Sequence, residues 1–241
     1  MNTEIAKKLL EKTKKDYEKI VVGFDETRLH CPHFKADLEQ LVSYAAEGSK
    51  VLDVGCGNGR LFELLQDKKI DYCGFDNCAP LIERAKNHFP AAKFLIGDAL
   101  DLTFLGEERF DIAFSVAVLH HIPSRELRLQ ALKNINGVLN PKSLLVMTNW
   151  NLYQPKYLPL MIKYASLRAA RKIILDNGDL LLPWRTKEKI IYRYYHAFTK
   201  KELEDLLAET GFELLDFYYV KNGKRTNWLG GANLVIIARK I

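Results

Sequence analysis

The pattern of apolar residues changes near residue 48. In residues 1–22 the apolar side chains recur at helical spacing on one face and lysines occupy the other, which predicts an amphipathic helix. A polar connection, residues 25–33, leads to a second predicted helix that ends near Gly48. From residue 50 to residue 150, short apolar runs alternate with helical segments. This alternation predicts a parallel β-sheet covered by helices on both faces.

Strands and helices are predicted in the central part of the chain, and a helix and two strands are predicted in the C-terminal part. Five strands and three helices are predicted from residue 51 to residue 148: Val51–Val54, Leu61–Leu65 (helix), Tyr72–Phe75, Pro80–Asn87 (helix), Phe94–Ile96, Phe110–Val118, Ser124–Leu139 (helix) and Leu144–Thr148. Thr199 and Glu202 form a capping box that opens a further helix, which ends at Gly211. The last two predicted strands are Phe212–Val220 and Asn233–Ala238, joined through the turn-forming pair Asn222-Gly223. The prediction is one α/β domain with an inserted cap.

The positive charge is concentrated in one window. The 241 residues include 36 Lys and Arg against 30 Asp and Glu, a net charge of +6. Residues 150–198 alone account for this excess, with nine basic residues (Lys156, Lys163, Arg168, Arg171, Lys172, Arg185, Lys187, Lys189 and Arg193) and three acidic ones (Asp176, Asp179 and Glu188). The same window holds nine of the 26 aromatic residues. Basic residues interleaved with aromatic ones suit a polyanion whose bases can stack. A solvated helical face beside a Tyr-rich core patch is the alternative interpretation.

Composition excludes several classes of protein. Hydrophobic residues make up 48% and charged residues 27%, which excludes a disordered or fibrous chain. No run free of charged residues reaches the roughly 18–20 residues of a membrane span, and charged residues near the N-terminus occupy the place of a signal peptide's apolar region. The four cysteines (Cys31, Cys56, Cys73 and Cys78) show no close C-x-x-C pair. We therefore expect reduced thiols, no metal site, no membrane contact and a cytoplasmic location.

A glycine-rich loop comes directly after the first predicted strand of the sheet. It reads Asp53-Val54-Gly55-Cys56-Gly57-Asn58-Gly59, and such glycines let a ligand lie against bare main chain. The dinucleotide fingerprint G-x-G-x-x-G requires a sixth-position glycine, where this chain has Arg60. An NAD-dependent enzyme is therefore disfavoured.

Acidic residues come after the next strands in register. Asp76 ends the second strand, where a carboxylate can accept both hydroxyls of a ribose. Asp98 comes after the third strand, within reach of an adenine amino group, and Phe110-Asp111 opens the fourth. Taken singly, each acid is equally well explained as a helix cap or a surface carboxylate. Together they indicate a nucleoside at the carboxyl edge of the sheet.

These motifs resemble those of class I S-adenosylmethionine-dependent methyltransferases across residues 48–150. The matching segments are VLDVGCGNGR, YCGFDNC, FLIGDA and FDIAFSVAVLHHI. The resemblance implies a Rossmann-like fold with a seven-stranded, mostly parallel sheet whose last strand is antiparallel. It also implies that S-adenosylmethionine binds here, leaving S-adenosylhomocysteine as product. The implied positions are Gly55, Gly57 and Asn58 by the methionine part of the cofactor, Asp76 at the ribose, Asp98 and Ala99 at the adenine, and Ser115 at the edge of the transfer site. Asp53, Gly59, Asn77 and Val116 complete the set of expected cofactor-binding residues.

Segments outside that core are similar to the tRNA wobble-uridine carboxymethyl methyltransferases. The matching segments are FDETR (24–28), GDLLLPW (178–184), RYYHAF (193–198) and Asn227-Trp228. The resemblance implies methyl esterification of 5-carboxymethyluridine at the wobble position of tRNA, in a family that is often helped by a small zinc-binding activator subunit. The charge of segment 150–198 makes that segment the expected contact with the anticodon loop. The chain departs from the family near Cys31-Pro32-His33 and at Asn140–Ser143, where a Pro-Gly-Gly turn is common.

A carboxylate acceptor needs positioning more than proton transfer, because it is already ionised at neutral pH. A cationic clamp must hold it, and arginine suits this task through its forked donors. The candidate catalytic residues are Arg28, His120, His121, Arg193, Tyr195 and His196, with His120 slightly preferred over His121 as the one that faces the site. Phosphate contacts or structural ion pairs are equal alternatives for the arginines. Trp184 and Tyr194 either stack on a base or pack in the core.

The sequence thus divides into a helical lid (1–47), a cofactor-binding core (48–150), a substrate-recognition insertion (151–198) and a C-terminal part (199–241). Two other functions remain open. A methyltransferase of small metabolites or quinones shares the same core, and a catalytically silent tRNA-binding subunit would keep the fold. The intact glycine loop and Asp76 argue against the silent subunit.

Overall fold

The centre of the protein is an eight-stranded β-sheet. The computed structural model describes residues 1–29, 31–186 and 188–241, without the side chains of residues 33 and 34. The strands are β1 (Lys50–Val54), β2 (Asp71–Asp76), β3 (Lys93–Ile96), β4 (Phe110–Val116), β5 (Leu139–Trp150), β6 (Asp179–Arg185), β7 (Ile190–His196), β8 (Phe212–Lys221), β9 (Lys224–Thr226) and β10 (Asn233–Lys240). The helices are α1 (Thr3–Glu18), α2 (Val21–Arg28), α3 (Pro32–Glu39), α4 (Phe62–Leu65), α5 (Ala79–His88), α6 (Arg125–Val138), α7 (Leu158–Ala169) and α8 (Lys200–Glu209).

The strand order of the large sheet is β3-β2-β1-β4-β5-β10-β8-β9. Strands β1 to β5 are parallel, and β10 is antiparallel to both of its neighbours. The predicted α/β class and the antiparallel last strand are therefore confirmed, whereas the predicted count of seven strands is one too few. The eighth strand arises because Asn222 and Gly223, with φ of 52° and 72°, turn the chain directly back so that β9 pairs with β8. This turn closes a hairpin, and it does not lead straight into the last strand as the sequence suggested.

Helices cover both faces of the sheet, as the alternating pattern predicts. On one face, α6 and α8 bury Leu132, Ile135 and Leu206 against the inward side chains of the strands. On the other face, Leu38 of α3 and Ile82 of α5 belong to a second buried cluster. The parallel strands are thus apolar on both faces, and their carboxyl ends meet along one edge.

The N-terminal region differs from the prediction. The first helix ends at Glu18. The predicted polar connection, of which residue 30 lies outside the described residues, is largely helical, with its first four residues in a separate helix, α2, and its last two in α3. Helix α2 forms because Val21 and Phe24 are buried together with Leu81 of α5. Burial of these apolar side chains outweighs the polar composition of the segment.

The insertion, predicted only as irregular, contains helix α7 and a two-stranded antiparallel sheet, β6–β7. Six of its nine basic residues are exposed: Lys156, Lys163, Arg171, Lys172, Arg185 and Lys189. Arg168 donates to the main-chain carbonyl of Asp179, and Arg193 is buried. Lys187 lies outside the described residues. In the part of the chain that the structure describes, no helix has the length and apolar character to cross a bilayer.

Candidate functional site

A cavity of about 1010 Å³, counted out to its open mouth, lies at the carboxyl edge of the parallel strands. Eleven of the seventeen predicted site residues line it: Arg28, Gly55, Gly57, Asp76, Asn77, Asp98, Ala99, Val116, His120, His121 and Arg193. Helices α1 and α2 form the opposite wall, which contributes Lys14, Tyr17 and Phe24. The cavity is therefore bounded by the sheet on one side and by the N-terminal helices on the other.

The glycine loop lies against the cavity with its main chain bare. Gly55 and Gly57 have φ of 68° and 57°, a region that residues with a side chain rarely adopt. A Cβ on Gly55 would stand 2.5 Å from a methyl carbon of Val118. A Cβ on Gly57 would stand 3.6 Å from the ring of Phe24, in the space between the loop and the lid. Glycine is thus required by the backbone at both positions and by packing at the first.

Asp76 holds this loop in place. One carboxylate oxygen accepts from the main-chain N–H of Gly57 at 3.0 Å, and the other accepts from that of Cys78 at 2.8 Å. Burial raises the pKa of Asp76, while these two backbone donors favour its charged form. The carboxylate is therefore fixed at the end of β2, and its remaining lone pairs are available on the cavity side.

A second polar group lines the cavity at the end of β3. Asp98 accepts from the side-chain amide of Asn77 at 3.1 Å and from the main-chain N–H of Leu100 at 2.9 Å. Ala99 is the next residue and accepts from the amide of Asn134 through its carbonyl. Asp76 and Asp98 therefore meet at one edge, as parallel strands require. The third predicted acid, Asp111, instead lies at the start of β4 and accepts from the main-chain N–H of Lys50 at the opposite edge.

Four predicted cofactor residues lie outside the lining of the cavity. Asp53 accepts from the hydroxyl of Tyr72 at 2.7 Å, and burial raises its pKa to about 7. Gly59 faces the aromatic cluster beneath the loop, where a Cβ would meet the ring of Phe89 at 2.9 Å. Ser115 is buried within β4. These three residues support the loop and the sheet from behind.

Asn58, the fourth of them, joins the glycine loop to the lid. Its buried amide donates to Asp25 of α2 at 2.8 Å. Asp25 also faces the ring nitrogen Nε2 of His88 on α5, at 3.0 Å and 3.1 Å from its two oxygens. One buried carboxylate thus ties α2 both to the loop and to the helix behind β2.

Arg193 reaches the cavity from β7 and is only 3% exposed. Its Nη1 donates to the hydroxyl of Tyr17 at 2.9 Å, and its guanidinium carbon lies 4.6 Å from the ring centroid of Trp184. Its Nε is buried and finds no partner among the described residues. A buried guanidinium with an unsatisfied donor favours an anionic ligand, because an unpaired buried charge is costly.

Tyr17 connects this arginine to His121. The Nδ1 of His121 lies 3.0 Å from the main-chain carbonyl of Tyr194, which only accepts, so Nδ1 carries the proton. Burial lowers the pKa of His121 well below its usual value, so the ring is neutral and Nε2 accepts from Tyr17 at 2.7 Å. The hydroxyl of Tyr17 therefore donates to His121 and accepts from Arg193, which fixes the orientation of the guanidinium.

His120 also lines the cavity and is fully buried. Its Nδ1 lies 3.1 Å from the amide oxygen of Asn149, and its Nε2 has no partner within the described chain. Burial lowers its pKa to about 3. Both histidines of the pair thus border the cavity, and the sequence-based preference for His120 is not decided by their positions.

Positive charge dominates the site. Arg28 and Arg60 line the cavity together with Arg193, and Lys14 stands at its wall. Burial, followed by the nearby charge of Arg28, lowers the pKa of Arg60 to about 10, so it remains a cation at neutral pH. In the sequence, Arg60 ends the segment VLDVGCGNGR and argues against NAD, but it is not among the predicted site residues.

Two predicted catalytic residues do not reach the cavity. Tyr195 is fully buried, and its ring stacks on that of His120 with centroids 5.2 Å apart. His196 is enclosed by Asp179 at 2.6 Å and Glu202 at 2.8 Å. Tyr194 also donates to Asp179, so it packs in the core and is not a base-stacking residue. Along β7, Arg193 and Tyr195 lie on one face and Tyr194 and His196 on the other.

Asp179 is expected to stabilise the insertion. It is fully buried and accepts from Tyr194, from His196 and from the main-chain N–H of residue 176. The substitution Asp179→Ala leaves these donors unpaired, so we expect a loss of about 3–5 kcal/mol in the free energy of unfolding. Urea denaturation measures it, with Asp205→Ala on the exposed face of α8 as control. A loss below about 1 kcal/mol for Asp179→Ala would contradict this role.

Comparison with known proteins identifies the family to which this chain is similar. The profile of the methyltransferase domain matches residues 28–216. A tRNA (carboxymethyluridine(34)-5-O)-methyltransferase of Schizosaccharomyces pombe is 29% identical over 234 residues, which cover 88% of this chain and 91% of that protein. A putative methyltransferase of Encephalitozoon cuniculi is 32% identical, with 73% of this chain and 76% of that protein covered. A crystal structure of an S-adenosylmethionine-dependent methyltransferase from Methanosarcina mazei matches with a TM-score of 0.68 at 24% identity, over 84% of this chain and 97% of that one.

Proposed function

Because this chain belongs to the methyltransferase domain family and has the fold of class I S-adenosylmethionine-dependent methyltransferases, we propose that it methylates the carboxylate of 5-carboxymethyluridine at the wobble position of tRNA. The Schizosaccharomyces pombe relative is named for this reaction. The observation that carries the proposal for this chain is the buried guanidinium of Arg193, held beside the glycine loop and Asp76 in one cavity. A cation in that position suits an acceptor with a negative charge.

The cavity residues fit S-adenosylmethionine. The bare main chain at Gly55 and Gly57 allows close approach of a ligand, and Asp76 offers carboxylate oxygens for the two hydroxyls of a ribose. Asp98 and Asn77 supply polar groups one strand further along the edge. When bound, this cofactor supplies a methyl group on a positively charged sulfur. The residues of this chain contribute binding, orientation and exclusion of water.

Arg193 is the proposed clamp for the acceptor. Tyr17 occupies Nη1, so a carboxylate is received on the side of Nε, which has no partner among the described residues. Arg28 stands near the same indole, 5.4 Å from the ring centroid of Trp184, and supplies a second positive charge. The carboxylate arrives ionised, so no residue has to remove a proton from it. Catalysis then rests on in-line positioning in a site walled by Tyr17, Phe24 and Trp150.

The rate of methyl transfer should not depend on protonation of the histidine pair. A pKa of about 3 keeps His120 neutral at every pH above about 4, and the pKa of His121 is also lowered. We therefore expect the pH profiles of kcat for the wild type and for His120→Gln to have the same shape between roughly pH 6 and 9, whatever their heights. Stopped time courses at saturating cofactor provide the profiles. An acid limb that is present in the wild type and lost in the variant would contradict a neutral His120.

The insertion is the proposed contact with tRNA. Six basic residues of this segment are exposed, and among its described residues Glu188 is the one exposed acidic residue. Asp179 is buried, and Asp176 pairs with the N-terminal ammonium. The described surface of the insertion is thus strongly positive, with six exposed basic residues against one exposed acidic residue. Each phosphate contact releases counterions and makes binding steeply dependent on salt.

A small zinc-binding activator subunit is the proposed protein partner. The edge strand β3 has one unpaired side, and Ile96 on it is 59% exposed beside the half-exposed ring of Phe104. An unpaired edge with apolar side chains is suited to strand addition by another chain. The four unpaired thiols are typical of a reducing compartment, and we propose that the complex acts in the cytoplasm.

Mass spectrometry of nucleosides tests the function directly. Bulk tRNA that carries 5-carboxymethyluridine is incubated with S-adenosylmethionine, with and without the purified protein and its activator. We expect the methyl ester to appear only with the protein. Transfer of tritiated methyl to no RNA at all would favour a silent tRNA-binding subunit. Filter binding at two salt concentrations separates a small-molecule enzyme, which would show no steep salt slope with tRNA.

A further inference from the structure

A rigid loop with an exposed tryptophan lies at the active-site edge of the sheet, outside the insertion. Trp228 is 53% exposed and lies between β9 and β10. The first residue of β10, Asn233, pairs with Trp150, the last residue of β5, and Trp150 lines the cavity. The loop that carries Trp228 is therefore next to the mouth of the site.

The loop is held by two asparagines. The side-chain oxygen of Asn227 accepts from the main-chain N–H groups of Leu229 at 3.1 Å and Gly230 at 3.0 Å. The buried amide of Asn151 donates to the carbonyl of Trp228 at 2.6 Å and to that of Gly231 at 2.9 Å. The main chain of Trp228 is thus fixed, although its indole is largely in solvent.

A second exposed aromatic residue is anchored to the same asparagine. The main-chain N–H of Tyr153 donates to the side-chain oxygen of Asn151 at 3.1 Å, and Tyr153 is 37% exposed. One buried side chain therefore organises two exposed rings, one from the insertion and one from the C-terminal part. Asn151 directly succeeds Trp150, so both rings are anchored at the wall of the cavity.

The charge around this pair favours a polyanion. From residue 217 to residue 241 the chain has no Asp or Glu, and Lys221, Lys224 and Arg225 are exposed beside the loop. Arg225 pairs with Asp216, while the two lysines flank the turn at Asn222-Gly223. Exposed aromatic rings on an anchored main chain, in a positive field, suit single-stranded nucleic acid, because every base has a face that stacks.

We propose that Trp228, together with Tyr153, is a stacking platform for the RNA bases next to the target uridine. The proposal rests on the proposed function, since it assigns these rings to nucleotides of the same single-stranded loop. A target base that enters the cavity must leave the stack of its neighbours, and the platform gives those neighbours new partners. Because stacking reads no base identity, the platform contributes affinity without sequence preference.

Binding of a fluorescein-labelled anticodon stem-loop RNA to the full-length protein tests this platform, read as anisotropy at fixed salt. We expect Trp228→Ala to raise the Kd about 5- to 150-fold, the range for loss of one stacked base. Trp228→Phe, which keeps an aromatic face, should stay within about 3-fold of the wild type. Leu229→Ala removes the neighbouring exposed apolar side chain and should also stay within about 3-fold.

Two results would overturn the platform. One is a Kd of Trp228→Ala equal to that of the wild type. The other is an equal loss for Leu229→Ala, which would indicate an apolar contact with a protein instead of stacking on RNA. Circular dichroism confirms that each variant is folded. Methyl transfer is measured separately, so a wild type that binds the RNA but forms no ester would contradict the proposed function and leave the platform standing.

Discussion

The variant Arg193→Ala is expected to lose ester formation while it binds S-adenosylmethionine within a few-fold of the wild type. The guanidinium is buried at the cavity, and its Nε has no partner among the described residues. In a site shielded from water, removal of one such donor to the reacting group costs roughly 100- to 1000-fold in kcat. The cofactor residues Gly57 and Asp76 make their contacts with each other and not with Arg193, so their arrangement should survive.

Folding should also survive this substitution. Tyr17 keeps His121 as its acceptor after the guanidinium is removed, so no buried hydroxyl is left unpaired. Arg193→Lys tests whether the two parallel donors of the guanidinium are needed, because lysine keeps the charge but cannot bind a carboxylate through two such donors. Arg109→Ala, an exposed arginine directly before β4 and so at the edge of the sheet opposite the cavity, is the control and should change the rate little.

Ester formation is measured by transfer of tritiated methyl to tRNA, and cofactor affinity by calorimetry. A loss of cofactor binding as large as the loss of activity would move Arg193 from the acceptor to the carboxylate of the cofactor. Full activity in Arg193→Ala would leave Arg28 and Arg60 as the cations of the clamp, since both line the same cavity.

The sequence predicts best which residues lie at the same edge of the parallel sheet. Glycines after β1 and acids after β2 and β3 must meet, since parallel strands end at one edge, and the structure places Gly57, Asp76 and Asp98 around one cavity. The order of the strands says less about the partners of the side chains in the glycine loop. Asn58 turns to the buried carboxylate of Asp25, a partner 33 residues away that no local pattern reveals.

Two predicted catalytic residues of the insertion, Tyr195 and His196, lie outside the lining of the cavity for a different reason. Arg193, Tyr195 and His196 form one predicted group because they are close in sequence. Side chains of a strand alternate, so Arg193 and His196 project from opposite faces of β7. Recognition of that strand would separate His196 from Arg193. It would not separate Tyr195, which lies on the face of Arg193 and stacks on His120.

The sequence predicts little of the wall formed by the N-terminal helices beyond Arg28. In the sequence, Tyr17 belongs only to an apolar helical face, and Phe24 only to a family segment. Their place at the cavity depends on how α1 and α2 pack on α5 and β7, a contact between residues far apart in the chain. Periodicity predicts that such a face is buried, but it does not identify the surface that buries it.

The second large effect is expected from Asp76→Ala, which should weaken the binding of S-adenosylmethionine by about 1–3 kcal/mol, the range for loss of a hydrogen-bond partner that carries a charge. Two consequences of the substitution add up. The carboxylate proposed to hold the ribose is removed, and the main-chain N–H of Gly57 and that of Cys78 lose their acceptor. The glycine loop is then less well fixed before the ligand arrives, so part of the loss comes from ordering the loop on binding.

Calorimetry of Asp76→Ala and Asp76→Asn separates the two consequences. Asparagine keeps an acceptor oxygen for the loop but has no charge. The affinity of Asp76→Asn for S-adenosylmethionine should therefore lie between that of Asp76→Ala and that of the wild type. Asp71→Ala, at the exposed start of the same strand, is the control and should bind as the wild type does. Unchanged affinity in Asp76→Ala would remove the ribose role. A loss confined to thermal stability, with normal affinity, would leave Asp76 a role in the stability of the fold alone, because both of its proposed roles in binding predict a weaker affinity.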